Sequence, residues 1–206
     1  MMRRWVSMDD PQAAIVPAEV ATVGARVYFY GEVTNSSALV FIKELRDVDV
    51  NNLYRSHRDD LPVSNIWVNI NSGGGSMWDA LAMVDAIEAC KSPVYGLGEG
   101  LVASAATLIL CACNKRFVTR HTLTLFHQIS AWFSGSHEQF RDEMAMQEMM
   151  MTKLVKFYEA RSDLDEAFIR DMLKRDTWFS AEEMVKHGMA EILGKSSGVE
   201  EVLSGA

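Results

Sequence analysis

The chain has little of what marks several large classes of protein. Its 206 residues include only three cysteines and four prolines, and 28 acidic residues outnumber 20 basic ones, for a net charge of −8. An acidic balance argues against a nucleic-acid surface, because phosphate binding needs clustered Lys and Arg. No run of residues reaches the ~20 apolar positions that a membrane span requires. We therefore expect neither nucleic acid nor a membrane as a partner.

The cysteines and the N-terminus indicate a cytoplasmic location. Cys90, Cys111 and Cys113 are odd in number and lie in apolar or helical contexts, which favours buried free thiols in a reducing compartment. Cys111-x-Cys113 has no second pair with which to bind zinc, so no metal is expected. Residues 1–5 are basic, but Asp-Asp-Pro at 9–11 interrupts any apolar h-region, so the sequence predicts no secretion signal.

What the chain does contain is an alternation of strand-like and helix-like segments. Strands are predicted at residues 26–31, 66–70, 94–97, 115–119, 123–127 and 189–193. Helices are predicted at about 35–45, 77–91, 103–110, 137–160, 162–174 and 180–188, and the polar residues 46–62 are expected to form a solvated loop. These spacings suit right-handed βαβ crossovers, so we predict an α/β fold with a mostly parallel sheet.

Three segments follow from this pattern. Residues 1–25 show no clean period and are expected to form an N-terminal arm that is mobile or ordered only by its neighbours. Residues 26–194 are expected to form one domain, and the Ser- and Gly-rich residues 195–206 a flexible tail.

Ser104 is the first candidate for chemistry. It stands where a predicted glycine-rich loop, residues 96–100, gives way to an apolar helix that begins at about Ala103. The first turn of a helix carries free N–H groups and a partial positive charge, so a serine oxygen there lies beside donors for a developing oxyanion. The alternative is that Ser104 was selected only for packing or for capping the helix.

His127 and Asp176 are the other candidates. His127 ends an apolar strand, a position at which function often gathers in open α/β sheets, and Asp176 follows a predicted helix. Acyl transfer needs a nucleophile, a base, an orienting group and oxyanion donors, and Ser104, His127 and Asp176 supply three of the four. For each of the latter two residues a purely structural role is the alternative.

Two glycine-lined turns, at residues 73–75 and 96–100, do not match known phosphate loops. The first lacks the lysine of the Walker pattern, and the second has the wrong spacing for a dinucleotide fingerprint. No cofactor is therefore expected, although a phosphate or CoA role at these turns stays open.

Four segments together resemble the Clp protease proteolytic subunit family, ClpP. They are residues 70–76 (INSGGGS), 102–106 (VASAA), 126–128 (FHQ) and 175–183 (RDTWFSAEE). The resemblance spans about residues 26–193. It implies a ClpP/crotonase-like spiral of β-β-α units with a mostly parallel sheet and a protruding handle helix at about 131–160.

The resemblance also assigns roles to individual residues. It implies that Ser104 is the nucleophile, His127 the general base and Asp176 the acid that orients the imidazolium. The backbone N–H groups of Gly75 and Ala105 correspond to the oxyanion hole. A serine endopeptidase without a cofactor is thus implied. Its substrate would be a peptide or an unfolded protein.

The family resemblance further implies a homo-oligomer of two stacked rings, usually heptamers, whose active sites face an inner chamber. The methionine-rich face of the handle would then be an interface. Some positions depart from the family. Gly73 and Ile129 stand where proline is usual, and the polar segment 46–62 is longer than usual. Trp67 keeps one aromatic position of the cleft for a partner ATPase, and Asn69 replaces the other.

These departures leave a Clp-type ATPase open as a partner, and they would fit a phage-type or accessory ClpP-like protease. Two other functions are alternatives. A crotonase-like acyl-CoA enzyme would share the spiral fold and a backbone oxyanion hole but would not need Ser, His and Asp together. A catalytically silent ring subunit would keep all three residues and only assemble with an active paralogue.

Overall fold

Eight strands and six helices make up the part of the chain that the computed structural model describes, residues 19–130 and 134–194. The strands are β1 (Val20–Val23), β2 (Arg26–Tyr30), β3 (Ile66–Ser72), β4 (Val94–Ala103), β5 (Lys115–Val118), β6 (Leu123–Phe126), β7 (Thr177–Ser180) and β8 (Glu191–Ile192). The helices are α1 (Asn35–Asp59), α2 (Met77–Ala89), α3 (Ala105–Ala112), α4 (His137–Glu159), α5 (Glu166–Leu173) and α6 (Ala181–Lys186). Most of the expected arm (1–18), the start of the handle (131–133) and the tail (195–206) lie outside the described residues.

The strands form one sheet, ordered β1-β2-β3-β4-β5-β8, with β6 and β7 branching from β4. Strands β2 to β5 pair in parallel, while β1 with β2 and β6 with β7 pair antiparallel. Besides β3, strand β4 pairs with two further strands, because Tyr95–Gly98 pairs with β5 and Leu101–Ala103 pairs with β6. The predicted α/β fold with a mostly parallel sheet is confirmed.

The core lies between the sheet and the helices that cover it. Phe29 of β2 meets Phe41 of α1 edge to face, with ring centroids 5.9 Å apart, and both side chains are fully buried. Helix α3 is apolar on every side and is buried along seven of its eight residues. An all-round apolar helix needs burial on all faces, so α3 holds the residue that precedes it, Ser104, in a fixed place.

The expected loop at residues 46–62 is wrong, because α1 continues to Asp59. Val48 and Asn52 continue the buried stripe that begins with Phe41, and the polar residues of this segment cover the solvent side. The Asn52 side-chain amide donates to the Ser64 carbonyl (3.0 Å), and the Asp49 carboxylate accepts from the Ser92 N–H (2.8 Å). These contacts with residues outside α1 stabilise its second half, and the polar sequence of this segment gives no indication of them.

The expected glycine-rich loop at residues 96–100 is also wrong, because these residues belong to β4. The absence of a side chain at Gly96 allows α3 to pack closely on the strand. A Cβ at Gly96 would lie 2.9 Å from Leu110 Cδ1 of α3 and 2.9 Å from the sulfur of Cys113, the residue that caps the C-terminus of α3. Strand β4 therefore extends to Ala103, immediately before Ser104.

Two strands were not predicted. Strand β1 lies within the range assigned to the N-terminal arm and pairs with β2, and β7 follows Asp176 and pairs with β6. Helix α4, the handle helix, has its buried residues only in its second half: Met150, Leu154, Val155 and Tyr158. Of the described helices, none is long and apolar enough to span a bilayer.

Candidate active site

Ser104 lies between the last residue of β4 and the first residue of α3. Its backbone has φ 55° and ψ −126°, and only Asp60 shares a positive φ among the described residues that are not glycine. Such a conformation is sparsely populated and persists where the surroundings enforce it. A serine on a sharp strand-to-helix turn exposes its hydroxyl. The side chain makes no capping hydrogen bond, which counts against the capping interpretation.

Backbone and side-chain hydrogen bonds hold Ser104 on both sides. Its N–H donates to the Leu125 carbonyl of β6 (2.9 Å). Its carbonyl accepts from the Thr107 N–H (3.0 Å) and from the Thr107 hydroxyl (2.6 Å). The nucleophile candidate is thus tied to both the neighbouring strand and the following helix.

The glycine turn after β3 packs directly against Ser104. A Cβ at Gly74 would lie 2.7 Å from Ser104 Cβ, and the φ of Gly74 is +92°. Gly75 has φ +142° and would place a Cβ in contact with the Val33 carbonyl. Only glycine tolerates this combination of positive φ and close approach, so the triple-glycine stretch brings its backbone to the serine.

Two backbone N–H groups near Ser104 are candidates for oxyanion donors. Val33 pairs across the turn by donating to the Gly74 carbonyl (2.8 Å) and accepting from the Ser76 N–H (2.8 Å). That pairing does not use the Gly75 N–H. Ala105 is the first residue of α3, where the N–H has no partner within the helix. Gly75 and Ala105 are the two positions expected from the family resemblance.

The sheet register brings the other two candidates to the same end. Ala103 pairs with Leu125 in the parallel β4–β6 ladder, so Ser104 and His127 follow neighbouring strand ends. In the antiparallel β6–β7 ladder Phe126 pairs with Thr177. One further step in that register sets His127 opposite Asp176. His127 is half-buried and Asp176 is exposed.

A cavity of about 470 Å³ opens at this point. Gly75, Ser104, Ala105 and His127 all line it, whereas Asp176 does not. Among the side-chain hydrogen bonds of the described residues, none joins Ser104, His127 and Asp176 to one another. The structure thus brings four of the five expected residues to one space and leaves the aspartate beside it.

The remaining lining of the cavity mixes apolar and polar residues, and part of it comes from the handle helix. Apolar lining residues are Met77, Trp78, Leu108, Ile129, Met146, Met150 and Leu154. Glu32 and Glu143 also line it, and no Lys or Arg does so within the described chain. Two of the handle methionines, Met146 and Met150, therefore face the cavity, while Met144 and Met149 are exposed.

Sequence reasoning missed Tyr158, which also lines the cavity, and the role of Thr107. The Tyr158 hydroxyl lies 2.5 Å from the Thr107 hydroxyl, and both side chains are buried. The sequence offers one signal for this contact: Thr107 is a polar residue within an otherwise apolar helical segment, three residues after Ser104. No group of three or more His, Cys, Asp or Glu that could hold a metal ion occurs in the described residues.

Comparison with known proteins gives a consistent result. The family described as Clp protease matches residues 25–196. The chain is 32% identical over 175 residues to the ATP-dependent Clp protease proteolytic subunit of Leuconostoc citreum, a match that covers 82% of this chain and 83% of that protein. It is 29% identical over 205 residues to proteolytic subunit 1 of Protochlamydia amoebophila, which covers 92% and 94%.

A solved structure shows the same fold. A ClpP1 mutant from Listeria monocytogenes superposes with a TM-score of 0.72 at 24% identity, and the match covers 84% of this chain and 92% of that one. The family match spans most of the sequence and includes every residue of the site described above. The chain therefore belongs to the Clp protease family.

Proposed function

We propose that this chain is a serine endopeptidase that hydrolyses peptide bonds within an oligomeric chamber, with residues 26–194 as the peptidase domain. The observation that carries the proposal is the cavity lined jointly by Ser104, His127, Gly75 and Ala105. A strained serine, an imidazole and two backbone N–H groups at one cavity are the parts that acyl transfer requires. Curated relatives named as proteolytic subunits support the same activity.

In the proposed reaction the Ser104 hydroxyl attacks the carbonyl carbon of the scissile peptide, and its proton passes to His127. The oxyanion of the tetrahedral intermediate accepts hydrogen bonds from the Gly75 and Ala105 N–H groups. The intermediate collapses, and the leaving amine takes the proton from His127. A water molecule then attacks the acyl-enzyme and gives its proton to His127, which returns it to the Ser104 oxygen as the acid product departs.

Asp176 is proposed to orient the imidazole and stabilise its protonated form. The antiparallel register sets it opposite His127, and its exposure leaves it free to swing toward the ring. Catalytic hydrogen bonds are often long before substrate binds. Asp176→Asn should therefore lower kcat by orders of magnitude while the fold survives. Near-normal turnover of this variant would direct the search to another acid, first Asp171.

Membership of the Clp protease family supports a proposal about the partners. We propose a homo-oligomer of stacked rings, with heptamers as the first stoichiometry to test, acting on peptides or unfolded proteins in the cytoplasm. A Clp-type ATPase is the candidate partner protein. Trp67, Tyr95 and Phe117 form a half-exposed aromatic cluster that could receive it. The amide of Asn69 donates to Glu99 (2.9 Å), so the adjoining position is polar.

The direct test is hydrolysis of fluorogenic peptides by the purified full chain, with particle size measured by light scattering. Ser104→Ala should lower activity by at least about a thousandfold. Ser36→Ala, an exposed serine at the start of α1, is the matched control and should retain full activity. Equal activity in Ser104→Ala and the unaltered protein would refute the proposal.

A catalytically silent ring subunit is the second candidate. The lack of a hydrogen bond among Ser104, His127 and Asp176 in the described residues favours it. In that case the assembled chain alone would not hydrolyse peptides at any concentration, and the Ser104→Ala variant would leave the activity of a mixed ring unchanged. The acyl-CoA alternative finds less support, because the cavity lining in the described chain offers no Lys or Arg to CoA phosphates.

A further inference from the structure

We propose that Thr107 and Tyr158 act as a positioning pair that fixes the peptide group between Ser104 and Ala105, and so aims one oxyanion donor. The inference rests on the proposed peptidase function and extends it to two residues outside the triad. Its basis is a hydrogen-bonded series that runs from the handle helix to the carbonyl of Ser104.

The direction of each hydrogen bond in this series can be deduced. The Thr107 hydroxyl donates to the Ser104 carbonyl at 2.6 Å. A hydroxyl has one proton to donate, so the Thr107 oxygen can only accept from the Tyr158 hydroxyl, 2.5 Å away. Tyr158 therefore donates to Thr107, and Thr107 donates to Ser104.

The pair is shielded from water. Thr107 is 1% exposed and Tyr158 is 3% exposed. Burial raises the pKa of the Tyr158 phenol well above its usual value, so the hydroxyl keeps its proton. In a buried site hydrogen bonds polarise one another and are stronger than in water. Because each hydroxyl donates in one direction and water does not reach the pair, the hydrogen bonds from Tyr158 to Thr107 and from Thr107 to Ser104 have one arrangement.

Holding the Ser104 carbonyl has a consequence for the next amide. The carbonyl of Ser104 and the N–H of Ala105 belong to one planar trans peptide group. When Thr107 fixes the carbonyl oxygen on one side, the Ala105 N–H must point to the opposite side. That N–H is one of the two proposed oxyanion donors, and its residue lines the cavity.

Tyr158 also touches the strand that carries the base. Its ring meets Phe126 edge to face, with centroids 5.4 Å apart, and Phe126 immediately precedes His127. One side chain of α4 thus contacts the residue before the base and, through Thr107, the carbonyl of the nucleophile. A strained backbone such as that of Ser104 persists only where its surroundings enforce it, and this pair supplies part of that enforcement.

The test uses substitutions that remove single hydroxyls from the full-length assembled protein. Thr107→Val removes the hydroxyl that contacts the Ser104 carbonyl and should lower kcat by about 10- to 100-fold, less than the loss of a whole oxyanion donor. Tyr158→Phe leaves the Thr107 bond in place and should lower kcat by about 3- to 10-fold. Thr107→Ser should restore activity. Tyr54→Phe, on the exposed face of α1, is the matched control.

A second readout separates positioning from general structural support. A peptidyl boronate forms a tetrahedral adduct whose oxygen occupies the oxyanion hole. Its affinity should fall in parallel with kcat in Thr107→Val and Tyr158→Phe, while KM stays unchanged. The midpoint of thermal unfolding should fall in Thr107→Val, because the buried Tyr158 hydroxyl loses its acceptor, and a purely structural role would lower this midpoint without weakening boronate binding. The double variant should be no slower than Thr107→Val alone, because Tyr158 acts through Thr107.

Unchanged kcat and boronate affinity in Thr107→Val, or additive losses in the double variant, would overturn the positioning role. Both results leave the proposed function standing if Ser104→Ala still abolishes activity. Loss of the function itself would be recognised separately, since the unaltered protein would then hydrolyse no peptide.

Discussion

Substituting Gly74 by alanine should damage the site while leaving the rest of the fold in place. The added Cβ would lie 2.6 Å from the Ala103 carbonyl oxygen, 2.7 Å from Ser104 Cβ and 3.0 Å from the Ala105 N. Ordinary van der Waals contact begins at 3.4 Å, so the turn and Ser104 must separate by about 0.7 Å. The φ of +92° adds backbone strain of about 1–3 kcal/mol.

This displacement should lower mainly the rate of peptide hydrolysis. A misplacement of about 1 Å in a catalytic arrangement can cost about a hundredfold in rate, and here the two proposed oxyanion donors lie on either side of the clash. We therefore expect kcat/KM of Gly74→Ala to fall by roughly 30- to 100-fold. The free energy of unfolding should fall by about 1–3 kcal/mol, which a domain of this size tolerates.

The neighbouring residue provides the control. A Cβ at Gly73 would have nothing within 4 Å, and its φ is not positive. Gly73→Ala should therefore keep kcat/KM within about twofold and stability within ~0.5 kcal/mol. Peptide hydrolysis and urea denaturation of both variants make the comparison. Equal activity of Gly74→Ala and Gly73→Ala would refute the packing argument for the site.

Two further predictions concern stability. Burial raises the pKa of the Cys90 and Cys111 thiols to about 11, so the folded chain keeps protons that the unfolded chain releases above pH 9. The free energy of unfolding should therefore fall as pH rises from about 9 to 11, and urea titrations under reducing conditions that show no decline would oppose this. Phe41→Ala should cost about 3–5 kcal/mol of stability, whereas Val40→Ala, at a 43% exposed neighbour, should change it by less than ~1 kcal/mol; similar losses would contradict the described core.

The sequence is most informative where several separate segments agree. The glycine turn, Ser104, His127 and Asp176 are predicted as site residues from the sequence alone, because four short segments agree in order and spacing with one family, and their roles stay predictions. The register of β4, β6 and β7 then gives the physical reason for their spacing, since each of the three side chains follows or precedes a strand at one end of the sheet.

Local composition failed where a distant contact decides the structure. The polar residues 46–62 predicted a loop, but buried Val48 and the Asn52–Ser64 hydrogen bond carry α1 through them. The glycines of β4 led to the prediction of a loop. Their neighbours in the sequence do not show that Gly96 packs closely against α3. The Thr107–Tyr158 contact joins residues 51 positions apart, and one sequence offers no signal for such a pair.

The most direct measurement is to treat the assembled protein with a fluorophosphonate and locate the adduct by mass spectrometry. We expect one phosphonylated residue, Ser104, with labelling lost in Ser104→Ala and slowed in Thr107→Val. Labelling of another residue in place of Ser104, or hydrolysis of peptides that continues after Ser104 is fully phosphonylated, would contradict the assignment of Ser104 as the nucleophile.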